Sequence, residues 1–168
     1  MIGLDSTSEA GPALLDDARL AWTEQALADA RGPVVLALHH PPFAVGIPRL
    51  DRAAFPSAAR LEALVRASGK VTRVIAGHSH RAVHGLWAGV QASTAPALGH
   101  ALALSFHTEA PHAHTAEPPG LHLHLMRDGA WMTHTVLLGN TAPPSGFATP
   151  LSAEQMARLV TESGPPAQ

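Results

Sequence analysis

The sequence contains no cysteine in its 168 residues. This absence excludes disulfide bonds and thiolate ligands together, so a metal ion would have to be held by imidazole, carboxylate or amide groups. Histidine is abundant by contrast, with 12 residues. The question of a metal site therefore becomes a question of where the histidines lie.

An excess of positive charge and a long apolar run are also missing. Lysine and arginine total 11 against 13 aspartates and glutamates, a formal net charge of −2, whereas a nucleic-acid surface concentrates basic residues. No window is apolar enough to span a bilayer, and the opening MIGLDSTSEAGP lacks the features of a signal peptide. We therefore expect neither nucleic acid nor membrane as a partner, and we predict a soluble cytoplasmic protein.

The length and the hydrophobic fraction are those of one ordinary folded domain. With 46% hydrophobic residues, a chain of this size can bury a core. The opening is unusual, because MIGLDS predicts a buried strand with no preceding element to pair with. We therefore expect a chain that begins in the middle of a fold.

The first half of the chain alternates strands and helices. After the opening strand, residues 11–33 predict a helix, with Trp22 among the apolar residues that pack inward. VVLAL at 34–38 predicts a strand buried on both faces. Residues 57–68 predict a second helix, and VTRVIA at 71–76 the next strand. This order is typical of an α/β fold.

The second half predicts short antiparallel strands. The segments AVHGLWAGV, ALALSF, LHLHLMR and AWMTHTVLL are separated by glycine, proline and Asp-Gly turns. In LHLHLMR, His122 and His124 alternate with leucines, so we predict that the histidines face solvent and the leucines face the core. His112 and His114, in the long loop over residues 108–120, are expected to be solvated.

Two predicted strands end in histidines, in the segments HHPP and GHSH. Ligands of open α/β sheets gather at the carboxyl ends of the strands, so His39 should face one crevice with His78 and His80. Imidazoles there suit Zn, Mn or Fe. We expect Gly77 to bend the backbone so that the two following histidines point at different metals. The alternative interpretation of an isolated H-x-H pair is that both residues are loop histidines that bind no metal.

The segments VVLALHHPPFAVG and VTRVIAGHSHR, with GLDS near the start, resemble the calcineurin-like metallophosphoesterases. Within that family the chain is most similar to bacterial cyclic-nucleotide and glycerophosphodiester phosphodiesterases. The resemblance implies an α/β fold, specifically the C-terminal half of a four-layer α/β/β/α sandwich with mixed and antiparallel strands. Residues 1–140 would form a partial domain, and residues 141–168 a tail with one short helix, which SAEQ at 152–155 would open as a capping box.

The resemblance also implies roles for individual histidines. His39 and His78 would bind one metal ion and His80 the other, so the complete enzyme would hold two divalent ions, Mn, Fe or Zn. His40 and His100 would lie on the substrate side, although a structural role fits the sequence equally well for both. No catalytic residue is identified.

The reaction implied is hydrolysis of a cyclic nucleotide or another small phosphodiester. Two metal ions would activate water and neutralise charge on the phosphoryl oxygens. The segment FAVGIPRLD, residues 43–51, would border the pocket, and its lack of a basic cluster favours a small diester over a polyanion. Some relatives dimerise, so a homo-oligomer is an open alternative to a monomer.

The remaining ligands of the family are missing from this sequence. The Asp-x-His, Gly-Asp and Gly-Asn-His segments are absent, and three histidines are too few to hold two metal ions. We therefore expect the chain to be truncated and inactive by itself. The alternatives are a non-catalytic metal-binding or interaction module and a truncated gene model or expressed fragment.

Overall fold

The computed structural model describes residues 1–8, 13–52, 55–139 and 150–161. The chain forms two compact units, Met1–Leu138 and Gly139–Gln168. The assignment of the first 140 residues to a partial domain stays a prediction. Among the described helices, none combines the length and apolar character needed to cross a membrane.

A five-stranded mixed sheet forms the centre of the first unit. Its strands are β1 (Ile2–Leu4), β2 (Val34–Leu38), β3 (Val71–Ala76), β4 (Val83–Trp87) and β5 (Val90–Thr94), and their order in the sheet is β1-β2-β3-β5-β4. Strands β1, β2, β3 and β5 run parallel, and β4 pairs antiparallel with β5. The predicted α/β class with mixed and antiparallel strands is therefore confirmed.

Two helices, α1 (Asp17–Asp29) and α3 (Ala58–Ser68), cover one face of this sheet, and the short helix α2 (Pro48–Asp51) lies between them in the sequence. In the hydrophobic core, Leu27 of α1 and Leu61 of α3 pack against Leu36 of the sheet. Helix α1 turns Leu20, Thr23 and Leu27 inward, which leaves Trp22 56% exposed, so the prediction that Trp22 packs inward is wrong.

The remaining strands form two separate antiparallel pairs. They are β6 (Ala101–Leu102) with β7 (His114–Thr115), and β8 (Gly120–Arg127) with β9 (Ala130–Leu137). The hairpin β8–β9 covers part of the sheet face opposite the helices, where Arg73 of β3 donates hydrogen bonds to Thr133 of β9 at 2.5 Å and to Gln91 of β5 at 2.8 Å. Helices, sheet and hairpin are thus successive α, β and β layers.

The hairpin turns its histidines inward and its leucines outward. Leu121, Leu123 and Leu125 are 39%, 47% and 43% exposed, whereas His122 and His124 are half-buried. The predicted orientation is therefore wrong. The reason is Arg73, which is 2% exposed, because a buried guanidinium needs polar partners and selects the polar face of the hairpin.

The tail helix is present in the second unit as α4 (Ala153–Thr161). The Ser152 backbone N–H donates to Gln155 Oε1 at 2.9 Å, and the Gln155 N–H donates to Ser152 Oγ at 3.2 Å. These reciprocal bonds are the predicted capping box. They satisfy two backbone donors that the first turn of a helix otherwise leaves free.

Candidate metal centre

The carboxyl ends of β2 and β3 lie side by side and carry the first histidines of the site. Leu38 is paired in register with Ala76, and the Gly77 N–H donates to the His39 carbonyl at 3.0 Å. A Cβ added at Gly77 would stand 3.4 Å from His39 Nδ1, an ordinary van der Waals distance, so the His39 ring lies directly beside this turn.

The GHSH turn bends at its histidines. His78 and His80 have φ angles of 66° and 51°, whereas Gly77 is not among the residues with positive φ, so the expectation that Gly77 supplies the bend is wrong. A left-handed residue other than glycine costs about 1–2 kcal/mol. The fully buried Ser79 holds the turn, with its hydroxyl 2.8 Å from Thr94 Oγ1.

Three histidines converge at this edge of the sheet. One ring nitrogen from each of His39, His40 and His78 lies within 4.8 Å of the other two. The ring centroids are 4.7 Å apart for His39 and His40, 4.7 Å for His40 and His78, and 5.3 Å for His39 and His78. We call these residues the strand-end group. The structure thus brings His39 and His78 together, while their ligand roles stay predictions.

His40 joins this group, although the resemblance places it on the substrate side. The Oγ of the buried Ser6 lies 2.9 Å from His40 Nδ1 and accepts the His40 backbone N–H at 3.3 Å. Burial, reinforced by nearby His39, lowers the pKa of His40. Burial also lowers the pKa of His78, with further contributions from the neighbouring histidines. Both shifts favour the neutral imidazole, which is the form that binds metals.

His80 borders an adjoining cavity of about 400 Å³. Its Nδ1 lies 3.0 Å from the His100 carbonyl oxygen, and its ring centroid lies 4.7 Å from that of His100. The exposed residues His112 and His114, the latter in β7, also line the cavity. Their place in the site was not predictable from the sequence, because only the fold brings these residues close to His80.

Arg81 fixes the loop that carries these histidines. Its guanidinium donates to the Leu102 carbonyl and, at 2.9 and 3.1 Å, to the two carboxylate oxygens of Glu117. The hydrogen bonds from Arg81 to Glu117, and secondly the hydrogen bond from the Thr115 side chain, lower the pKa of Glu117. The positive charge of Arg81 is therefore already paired with Glu117.

Within the described part of the chain, no carboxylate belongs to the strand-end group. Asp5, at the end of β1, accepts hydrogen bonds from the Thr7 hydroxyl at 2.6 Å and the Thr7 N–H at 2.9 Å. These bonds, with the nearby Arg19, lower the pKa of Asp5. Asp5 therefore shapes the loop after β1.

Comparison with known proteins identifies relatives of this chain. It is 36% identical over 126 residues to a probable cyclic nucleotide phosphodiesterase from Rhodopseudomonas palustris, covering 71% of this chain and 45% of that protein. It is 33% identical over 158 residues to a probable glycerophosphodiester phosphodiesterase from Arcobacter nitrofigilis, covering 88% of this chain and 55% of that protein. A glycerophosphodiester phosphodiesterase from Enterobacter lignolyticus is 28% identical over 131 residues, covering 77% of this chain and 47% of that protein. The chain spans about half the length of these curated relatives.

No protein-family model matches the chain. The crystal structure of a dimetal phosphatase from Danio rerio matches 49% of this chain and 27% of the Danio rerio chain, with a TM-score of 0.42 and 19% identity.

The curated relatives confirm the resemblance inferred from the motifs: this chain is related to the metallophosphoesterases of the cyclic nucleotide and glycerophosphodiester phosphodiesterase type.

Proposed function

We propose that this chain supplies the histidine side of a metal-dependent phosphodiesterase centre. The observation that carries the proposal is the convergence of His39 and His78 at the carboxyl ends of two adjacent parallel strands. The names of the curated relatives support the reaction type. A small phosphodiester, such as a cyclic nucleotide, is the proposed substrate, and the cytoplasm the proposed location.

The residues of the site fit first-row divalent ions. Imidazole nitrogens suit Zn, Mn or Fe, and His39 and His78 would hold one ion while His80 holds the second. Donation from His80 Nδ1 to the His100 carbonyl would fix that ring with Nε2 directed to the ion. Bound ions would lower the pKa of water and stabilise charge on the phosphoryl oxygens.

The cavity beside His80 supports a small substrate. Its volume of about 400 Å³ lies near the lower end of the usual range for ligand pockets, about 300–1,000 Å³. Imidazole N–H groups of His100, His112 and His114 can donate to phosphoryl oxygens there. Because Arg81 is paired with Glu117, the lining suits a diester with one negative charge better than a polyanion.

The isolated chain is expected to have little activity. Two closely spaced ions need more ligands than these histidines provide, and the strand-end group includes no carboxylate from the described residues. In the proposal, the missing carboxylates come from the N-terminal half of such an enzyme. The all-imidazole donor set also supports a second candidate, a metal-binding module without catalytic activity.

Hydrolysis of a chromogenic phosphodiester with added Mn²⁺ or Zn²⁺ tests this proposal. The 168-residue chain should turn over near background, whereas addition of the N-terminal half of the Rhodopseudomonas relative should raise the rate by orders of magnitude, because the paired ions supply most of the catalysis. The substitution His78→Ala should abolish the restored activity. The matched control is His134→Ala, since His134 is exposed on β9, and it should retain the activity.

Two results would contradict the proposal. Strong turnover by the chain alone that survives His78→Ala would place the chemistry elsewhere in the molecule. A supplemented protein that binds metal without any turnover would instead favour the non-catalytic module.

A further inference from the structure

We propose that His39, His40 and His78 together hold a single transition-metal ion, with His40 as the third protein ligand and Ser6 as its positioning residue. The resemblance assigns only His39 and His78 to one ion. The inference concerns the same site as the proposed function, but it requires only metal binding and does not depend on hydrolysis.

The spacing of the three rings fits one ion with small adjustments. The candidate ligand nitrogens already lie within 4.8 Å of one another. Two nitrogens bound to the same tetrahedral Zn²⁺ at about 2.0–2.1 Å lie about 3.4 Å apart, so each pair must approach by at most about 1.4 Å. His39 and His78 are exposed, so their rings have room to make this approach by side-chain rotation.

Ser6 selects the nitrogen that His40 would present to the ion. The Ser6 hydroxyl lies 2.9 Å from His40 Nδ1 and also accepts the His40 backbone N–H. If Nδ1 carries the proton and donates to Ser6, the lone pair is on Nε2, as a metal ligand requires. Ligating histidines usually donate their other N–H to such a partner, which fixes the ring orientation. Ser6 is 1% exposed, so its position is set by packing.

The donor set predicts which ions bind. Three neutral imidazoles favour Zn²⁺, Co²⁺ or Cu²⁺ over Mg²⁺ and Ca²⁺, which prefer oxygen ligands. A site with three imidazoles also leaves a fourth tetrahedral position open for water or a substrate oxygen. This arrangement would allow the chain to hold one ion even without any carboxylate.

The test is metal binding to the purified 168-residue chain. We expect one Co²⁺ per chain by its visible absorption, competition by Zn²⁺, and no competition by Mg²⁺. His40→Ala, like His39→Ala and His78→Ala, should weaken Zn²⁺ binding at least 10-fold and alter the Co²⁺ spectrum. The control His134→Ala should bind as the wild type does. Wild-type affinity and spectrum in His40→Ala, with loss in His78→Ala, would overturn the proposal.

Two further measurements, on Ser6 variants and on the wild-type protein, do not require the His40 variant to fold. Ser6→Ala should weaken Zn²⁺ binding about 10-fold, and Ser6→Thr should restore it. Nitrogen-15 NMR of the wild type should show His40 protonated at Nδ1 and bound through Nε2 when Zn²⁺ is added. A His40 signal unchanged by Zn²⁺ would overturn the assignment, whatever the outcome of the hydrolysis assay.

Discussion

Two groups of histidines in this molecule have similar ring spacings and different chemistry. The strand-end group has centroid distances of 4.7–5.3 Å. A second group, which we call the interlayer group, lies between sheet and hairpin and consists of His84, His122 and His124, with distances of 4.9 and 5.5 Å. The nitrogens converge in the first group. In the second, the His84 and His122 rings stack at an interplanar angle of 25°.

The difference shows that the positions of the ring nitrogens, rather than residue type or ring spacing, decide whether histidines can share an ion, because within the described residues only the strand-end group brings three ligand atoms together. Both ring nitrogens of His122 are buried without a hydrogen-bond partner among the described residues. Burial, reinforced by the charges of His84, His124 and Arg73, lowers the pKa of His122 to about 4. His122 is therefore a neutral packing residue.

The largest effect that separates the two groups is stabilisation by metal. Zn²⁺ at 1,000 times its Kd should stabilise the folded chain by about 4 kcal/mol, which corresponds to a rise in Tm of roughly 10 °C. Thermal unfolding with and without Zn²⁺ measures this effect. His78→Ala should remove the rise, and His122→Phe should retain it. The reverse pattern would mean that the interlayer group holds the ion.

A smaller effect should appear in acid without metal, and His122 of the interlayer group should contribute to it. The pKa of His122 is about 4 in the folded chain and about 6.5 when unfolded, so the unfolded state binds the extra proton between these values. Stability is then complete above pH 6.5 and falls as the pH drops toward 4. Allowing for screening by solvent, we expect a loss of about 1–2 kcal/mol.

Urea unfolding in EDTA at pH 7 and pH 4.5 measures this loss. His122→Phe should reduce the pH dependence in this window, while His134→Phe, on the exposed face of β9, should leave it intact. Because burial also lowers the pKa of His40, His78 and His124, a residual slope in the His122 variant is expected. An unchanged slope would show that other groups carry the acid sensitivity.

Strand positions and the place of the site were predictable from the sequence. Strands β2 and β3 have the predicted bounds, because each is a short apolar run bounded by Pro33 or Gly77. Their parallel order then brings His39 and His78 to one edge. The contact of Ser6 with His40 spans 34 positions and has no local signal. The hairpin orientation was not predictable, because the alternation of leucine and histidine shows that the two faces differ without showing which one is buried. That choice depends on the hydrogen bond between Arg73 and Thr133, which are 60 positions apart.

The smallest expected effect tests that orientation directly. Leu123 is 47% exposed on the outward face of β8, so Leu123→Ser should change the free energy of unfolding by no more than about 0.5 kcal/mol. If the leucines faced the core, the same change would cost about 2–5 kcal/mol. Leu36→Ser is the matched control, because Leu36 is fully buried and should show that larger loss. Urea unfolding of both variants at pH 7 decides between the orientations, since a loss above 2 kcal/mol for Leu123→Ser would require the leucines to pack inward.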